Sequence, residues 1–163
     1  MKMNFHLNQK SVRSLPACFF ILFMIILFTS GCKKKSEDPE PITDVQLAKL
    51  SKTWKLTGVT LDGVNKISEY SSFQLVLAGT KGADLFIYTT ASRPSRSPWP
   101  GSGNWTFGAD PVTQIIRDPQ TDAVAMTYSV NDHSLQLSFK FTGTGYTARV
   151  SELTGQWVFT FEL

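Results

Sequence analysis

The segment VAMTYSVNDHSLQLSFKF, residues 124–141, decides the fold of this chain. Apolar and polar residues alternate over 124–130 and again over 134–141, and the short polar run at 131–133 between them is typical of a turn. A period of two places successive side chains on opposite faces of a strand. The segment therefore predicts two neighbouring antiparallel strands, each with one buried and one exposed face.

The same alternation extends through most of the chain on both sides of this segment. Alternating runs separated by turn residues lie at 54–57, 73–77, 85–88, 105–107, 112–117 and 157–161. No long helix and no strand–helix–strand rhythm interrupts them. Many short strands at this spacing predict an all-β barrel or sandwich of about eight strands.

The C-terminal run favours a closed barrel over an open sheet. Trp157, Phe159 and Phe161 form a strongly apolar strand, and an unpaired strand of this kind promotes aggregation. Pairing with the first strand, near Trp54, removes that exposed edge. We therefore predict an antiparallel up-and-down barrel of about eight strands.

A short helix is predicted just before the barrel. Thr43 and Gln46 have the spacing of a capping box, and Ile42 and Leu47 stand where a hydrophobic staple forms. These signals place a helix at about 44–49. Its apolar residues are expected to cover one end of the barrel.

Residues 91–103, rich in Ser, Pro and Gly, form the longest break in the alternation, and loops of this length are functional or mobile. Arginines pair with carboxylates or phosphates, and a tryptophan face stacks on a sugar. Arg93, Arg96 and Trp99 are therefore predicted to form an exposed ligand-binding surface. The alternative is that Trp99 plugs the barrel end while both arginines are solvated.

Three further residues are candidates for ligand binding inside the barrel. Arg117, Tyr128 and Arg149 can each supply a polar group to an interior. A barrel of about eight strands either holds one small ligand or is filled by its own side chains. The sequence leaves both alternatives open.

The order of these features resembles the lipocalin-like domain of bacterial outer-membrane lipoproteins. The matching motifs are Leu50-x-x-x-Trp54-x-Leu56, Trp99-Pro100-x-Ser102-Gly103-x-Trp105-x-Phe107, Arg117-Asp118, Ser134-Leu135-x-Leu137-x-Phe139 and Gly155-x-Trp157-x-Phe159-x-Phe161. Lipocalins carry glycine two residues before the first-strand tryptophan, where this chain has Lys52. The resemblance implies a lipocalin-like barrel domain over 42–163.

The N-terminal 31 residues have the features of a secretory signal peptide. Lys2, Lys10 and Arg13 precede an apolar run over 15–28. This run has about 14 residues, fewer than the roughly 20 that a helix needs to span a bilayer. We therefore predict that 1–31 is cleaved, with an uncleaved signal anchor as the alternative.

Cys32 directly follows small residues at the end of this apolar run, as in a lipoprotein cleavage box. The resemblance implies that Cys32 is lipidated, that several fatty acyl chains such as palmitate make the attachment permanent, and that the protein lies in the outer membrane. Residues 32–41 then form a flexible tether, and the barrel faces the periplasm or the cell surface.

The charge of the mature chain argues against nucleic acid as a partner. The whole chain has 16 basic and 13 acidic residues, and the basic residues of the signal peptide account for the surplus. Nucleic-acid binding needs a concentrated basic surface. A neutral mature domain therefore excludes this class of function.

The residues that catalysis or metal binding would need are scarce. Cys18 lies in the signal peptide, so the mature chain keeps only Cys32 and forms no internal disulfide. His133 is the only histidine after the signal peptide and lies in a turn, without a nearby catalytic partner in the sequence. Zinc sites need several clustered ligands. We predict a protein that is not an enzyme and uses no metal or cofactor.

Two functions agree with these features. The first is a lipid-anchored cell-envelope protein that binds a small apolar or amphipathic ligand inside its barrel. The second is a filled barrel that contacts an envelope protein or a glycan through the loop at 91–103.

Overall fold

The computed structural model of the chain describes residues 39–142 and 153–163. Pro39–Leu163 forms one compact unit. The predicted signal peptide, Cys32 and Arg149 lie outside the described residues. Within the described ranges, no helix has the length and hydropathy that crossing a membrane requires.

The described residues contain one α-helix, one short 3₁₀ helix and nine strands. The helix α1 is Ile42–Leu50, and the 3₁₀ helix is Ile67–Glu69. The strands are β1 (Thr53–Leu61), β2 (Val64–Asn65), β3 (Gln74–Ala78), β4 (Phe86–Ala91), β5 (Ser102–Phe107), β6 (Gln114–Arg117), β7 (Val124–Val130), β8 (Ser134–Phe141) and β9 (Gly155–Glu162).

Eight of these strands close into an antiparallel barrel. Strand β1 pairs with β3, each later strand pairs with the next, and β9 returns to pair with β1. The closing ladder runs from Lys55 opposite Glu162 to Leu61 opposite Trp157. Strand β2 pairs only with the end of β1. The predicted up-and-down barrel of eight strands, preceded by a short helix, is confirmed.

The turn that joins β1 to β2 has the geometry that its sequence favours. Asp62 and Gly63 both have positive φ, 49° and 80°. Two consecutive residues with positive φ are typical of a type I′ hairpin, which commonly contains Asp-Gly. The side chain of Asp62 also accepts a hydrogen bond from the backbone N–H of Gln156 at 2.8 Å, which ties this turn to β9.

The inward-facing side chains fill the barrel. Along β8 the alternation predicted from sequence is observed, because Leu135, Leu137, Phe139 and Phe141 are all buried. All four tryptophans of the chain are at most 1% exposed; they are Trp54, Trp99, Trp105 and Trp157. Aromatic side chains bury more area than other residues. They therefore account for much of the interior volume.

Helix α1 covers one end of the barrel, as the sequence predicts. Leu47 and Leu50 of the helix are buried. The indole N–H of Trp54 donates a 2.9 Å hydrogen bond to the backbone oxygen of Leu50. The same carbonyl accepts a 2.8 Å bond from the backbone N–H of Lys52, and together the two bonds fix the C-terminal end of α1 against the first strand.

The predicted capping box and hydrophobic staple are wrong. The helix begins directly after Pro41, and no side chain caps its N-terminus. Gln46 instead turns into the barrel end, where it is 5% exposed and its side-chain oxygen lies 3.3 Å from the phenol oxygen of Tyr128. Ile42 is 48% exposed, so it does not form a staple. The burial of Gln46 beside Tyr128 is thus favoured over a capping hydrogen bond at the start of the helix.

Candidate functional site

Trp99 lies inside the barrel rather than on its surface. It belongs to the loop at 92–101, and its side chain is 1% exposed. Its ring centroid lies 5.6 Å from that of Tyr88, 5.8 Å from Phe139 and 6.0 Å from Phe159. The prediction of an exposed stacking surface at Trp99 is wrong. The alternative is right for Trp99, which plugs the barrel, but it is wrong for Arg93, which is half-buried rather than solvated.

Arg117 points inward from β6 and holds this plug in place. Its guanidinium carbon lies 5.0 Å from the ring centroid of Trp99 and 5.5 Å from that of Phe139. One terminal nitrogen donates a 2.9 Å hydrogen bond to the backbone oxygen of Pro98. The Nε atom lies 3.3 Å from the carboxylate of Asp118. A cation that is 1% exposed needs such partners to offset its desolvation.

The Asp118 carboxylate connects three neighbouring strands. It accepts a 2.7 Å hydrogen bond from the phenol of Tyr88 on β4 and a 3.1 Å bond from the backbone N–H of Asn104 on β5. A Cβ atom at Gly103 would lie 2.1 Å from the same carboxylate. Only glycine therefore fits at this position. The carboxylate is held by structural contacts that the sequence alone did not reveal.

The two other predicted loop residues differ in their environments. Arg93 is half-buried, whereas Arg96 is exposed. Within the described residues, the buried Nη1 of Arg93 and the indole N–H of Trp99 have no hydrogen-bond partner. A buried donor without a partner costs about 1–3 kcal/mol. These two unpaired donors therefore lower the stability of the folded loop, and the aromatic contacts of Trp99 must offset that loss.

Tyr70 lies beneath the same loop. Its phenol contacts the backbone oxygen of Arg96 at 3.5 Å. Burial raises the pKa of Tyr70 to about 12, and a hydrogen bond with Ser97 opposes part of that rise. The phenol of Tyr70 is therefore neutral at physiological pH.

Tyr128 lies toward the end that α1 covers, away from the plug. Its phenol donates to the backbone oxygen of Pro111 and lies close to Gln46. Burial, with a smaller contribution from the charge of Asp110, raises its pKa above the ordinary value for tyrosine. The structure thus brings Arg117 and Trp99 together and keeps Tyr128 apart from them.

An open cleft lies in the barrel wall, and we call it the wall cleft. Its volume is about 440 Å³. Its lining residues are Gly108, Ala109, Gln114, Ile115, Ile116, Ala125, Met126, Thr127, Ser138, Phe139, Lys140 and Gln156.

The wall cleft lies where the pairing of β7 with β8 stops. The ladder between them runs from Val130 opposite Leu135 to Thr127 opposite Ser138. Strand β7 begins three residues before this point, and β8 continues for three residues beyond it. The lining residues of this section, Ala125 and Met126 on β7 and Phe139 and Lys140 on β8, are not hydrogen-bonded partners. The alternation is uninterrupted in both strands, so the cleft could not be predicted from it.

The two sides of the wall cleft differ in their share of apolar surface. Ile116 of β6 and Ala125 of β7 supply apolar surface on one side, which also includes the polar side chains of Gln114 and Thr127. Ser138 and Lys140 of β8 and Gln156 of β9 supply polar groups on the other. The Gln156 amide donates a 2.8 Å hydrogen bond to the Ser138 hydroxyl oxygen, which leaves the Ser138 O–H free to donate. The cleft thus combines an apolar side with a small set of donors.

A smaller cleft lies beside α1. It has a volume of about 250 Å³ and includes Asp44, Asp84 and Phe107 in its lining. Typical ligand sites have volumes of about 300–1,000 Å³, so this cleft is the weaker candidate. Across the described ranges, no three His, Cys, Asp or Glu side chains are grouped to hold a metal ion.

Comparison of the chain with models of protein families, with curated proteins and with solved structures found no match in any of the three. The resemblance to lipocalin-like lipoprotein domains therefore stays a prediction.

Proposed function

We propose that this protein is a lipid-anchored, non-enzymatic protein of the cell envelope that binds a small amphipathic ligand in the wall cleft. One observation carries the proposal: the barrel is filled by its own side chains, whereas its wall is open between β7 and β8. The proposed binding site therefore lies in the wall, whereas the sequence predicted it inside the barrel. Interior binding would require Trp99 and Arg117 to give up their contacts.

The size and composition of the wall cleft support a ligand-binding role. Its volume of about 440 Å³ is within the range of about 300–1,000 Å³ that is typical of small-molecule sites. Such sites are mostly apolar and contain a few polar groups that orient the ligand. The wall cleft has this composition.

The proposed membrane attachment depends on Cys32. We expect Cys32→Ala to move the protein from the membrane fraction to the soluble fraction while its circular dichroism spectrum stays that of a folded β protein. The reason is that the lipid chains on the cysteine supply the proposed attachment. An unchanged membrane fraction would contradict lipidation at this residue.

The binding proposal is tested by native mass spectrometry of the segment 39–163 after exposure to a bacterial lipid extract. This segment forms one compact unit and contains the complete barrel ladder, so it is expected to fold without the tether. We expect a discrete added mass on the protein. A bare protein mass would contradict the proposal.

A matched pair of variants then locates the ligand. Ala125→Trp fills the wall cleft from an exposed position and should abolish the added mass. Ala91→Trp introduces the same side chain at an exposed position outside the cleft and should retain it. Loss of the added mass in both variants, or in neither, would place the ligand elsewhere.

A second function, contact with an envelope protein or a glycan through the loop at 91–103, is favoured by the way this loop is fixed. Trp99 anchors it inside the barrel, and the Thr90 hydroxyl donates a 2.8 Å hydrogen bond to the backbone oxygen of Pro100. These contacts anchor the end of the loop that follows its exposed residues Ser92, Ser95 and Arg96. A fixed loop loses little conformational entropy when it binds a partner.

This second function is tested by pull-down from envelope fractions with the anchored protein. One variant replaces residues 92–96 with a Gly-Ser sequence and keeps Ser97, Pro98 and Trp99, so that the plug stays in place. Recovery of a specific partner by the wild-type protein alone would support the loop as the contact surface. Equal recovery by both proteins would exclude it.

A further inference from the structure

We infer that the ligand of the wall cleft is a single-chain amphiphile with a carboxylate head group, and that Lys140 binds this head group. The inference rests on the proposed function, because it names the class of ligand that the same cleft takes. It follows from the charge, the donors and the apolar side of the cleft.

Within the described residues, the charge of the cleft is that of one lysine. Lys140 is the only ionisable residue among the described lining residues, and its side chain is exposed. No ion pair joins Lys140 to another residue within the described ranges. The ammonium group is therefore available to a ligand and favours an anion over a neutral or cationic head group.

Among the described residues, the carboxylates of Asp110 and Asp62 adjoin the lining, and both accept hydrogen bonds from protein groups. Asp110, next to the lining residue Ala109, accepts hydrogen bonds from the backbone of Val112 at 3.0 Å and the hydroxyl of Thr113 at 2.6 Å. Asp62 accepts its 2.8 Å bond from the backbone of Gln156. Each carboxylate is thus occupied in its own turn, and neither is among the lining residues of the cleft.

The donors around Lys140 suit a carboxylate. Lys140 and Gln156 are directly opposite each other in the ladder between β8 and β9, and Ser138 lies one step along the same outward face. An ammonium group, a hydroxyl and an amide N–H thus point to the same side of the cleft. A phosphate monoester carries a charge of about −1.5 to −2 at neutral pH, whereas a single ammonium matches the single charge of a carboxylate.

The opposite side of the cleft suits a hydrocarbon chain. Ile116 and Ala125 supply its apolar surface next to Gln114 and Thr127, and the buried Ile115, Met126 and Phe139 line the cleft beneath them. Removing a hydrocarbon chain from water onto such a surface is favourable. A ligand with one charged end and one apolar chain therefore matches both sides at once.

The inference is tested by isothermal titration calorimetry of the segment 39–163 with three ligands of equal chain length: decanoate, decanol and decylammonium, each below its critical micelle concentration. We expect decanoate to bind most tightly. Added salt should weaken the binding of decanoate and leave the binding of decanol unchanged, because salt screens only interactions between charges.

Two lysine variants complete the test. Lys140→Gln should weaken decanoate binding by about fivefold, which is the size expected for the loss of an exposed ion pair. It should leave the affinity for decanol unchanged. Lys55→Gln is the matched control, because Lys55 is an exposed lysine on β1 outside the cleft. It should not change the binding of either ligand.

The outcomes that overturn the inference differ from those that overturn the proposed function. Equal binding of decanoate and decanol, with no effect of Lys140→Gln but loss of both in Ala125→Trp, would keep the wall cleft as a ligand site and refute the carboxylate. Tighter binding of decylammonium would also refute it. Binding of none of the three ligands would contradict both.

Discussion

The barrel interior and the wall cleft are lined by residues of the same alternating strands, yet only the interior is closed by side chains of the chain itself. In the interior, Trp99 reaches in from a loop and makes edge-to-face contacts with aromatic rings, with the guanidinium of Arg117 over its own ring. In the wall, β7 and β8 stop pairing at Thr127 and Ser138, and no loop covers the opening within the described residues. An open cleft in a barrel can thus depend on where a strand ladder ends rather than on how wide the barrel is.

The largest expected effect comes from removing the plug. Trp99→Ala should lower the free energy of unfolding by about 3–5 kcal/mol, because it leaves a cavity among packed aromatic rings. Urea unfolding of the segment 39–163 measures this change, and Trp99→Phe should cost clearly less. A loss below about 1 kcal/mol would mean that Trp99 does not fill the interior, and the contrast with the wall would disappear.

Replacing the buried cation should have the next largest effect. Arg117→Met keeps much of the side-chain volume but removes the bond to Pro98 and the stacking on Trp99. We expect a loss of about 2–3 kcal/mol in urea unfolding, since the charge of Asp118 also loses its partner. Arg117→Lys keeps the charge without the planar group and should restore only part of the stability. Full restoration by lysine would show that stacking contributes little.

The phenol of Tyr70 should make a smaller contribution to the free energy of unfolding, and this contribution should depend on pH. Its pKa in the folded protein is about 12, above the ordinary value of 10.0, so the folded state holds the proton more tightly than the unfolded state. This contribution is complete below about pH 10 and is lost as pH rises toward about 12. Unfolding measured across this range should show a shallower loss of stability in Tyr70→Phe. An equal slope in both proteins would contradict burial of the phenol beneath the loop.

The smallest expected effect on stability belongs to the wall. Ala125→Trp adds a large side chain at an exposed position, and such changes usually alter stability by no more than about 0.5 kcal/mol. Urea unfolding should therefore give nearly the same midpoint as the wild type, although ligand binding is lost. A large destabilisation would mean that the wall is packed as tightly as the interior.

The sequence predicted the strands better than the sites. The hairpin of β7 and β8 and the closure of β9 on β1 follow from alternation, because a period of two fixes which face is buried. Gln46 shows the limit of local signals, since its burial against Tyr128 prevailed over a capping box. Loop residues have no period, and the orientation of Trp99 depends on partners from distant strands.

The wall cleft could not be predicted from the sequence, for a different reason. Alternation reports which way side chains point and carries no information on where backbone pairing between two strands ends. The contacts of Asp118 with Tyr88 and Asn104 likewise join strands that are distant in the chain. Of the predicted ligand-binding residues, Arg117 and Trp99 do lie together, but as parts of the core.

The most direct test of wall binding against interior binding is a nuclear magnetic resonance titration of the isotope-labelled segment 39–163 with decanoate. The indole N–H signal of Trp99, assigned by its absence in Trp99→Phe, reports on the interior, and the amide signals of Ala125 and Lys140 report on the wall cleft. We predict that the signals of Ala125 and Lys140 shift with added decanoate while the Trp99 signal stays in place. A shift of the Trp99 indole signal without shifts at Ala125 and Lys140 would contradict the account and place the ligand inside the barrel.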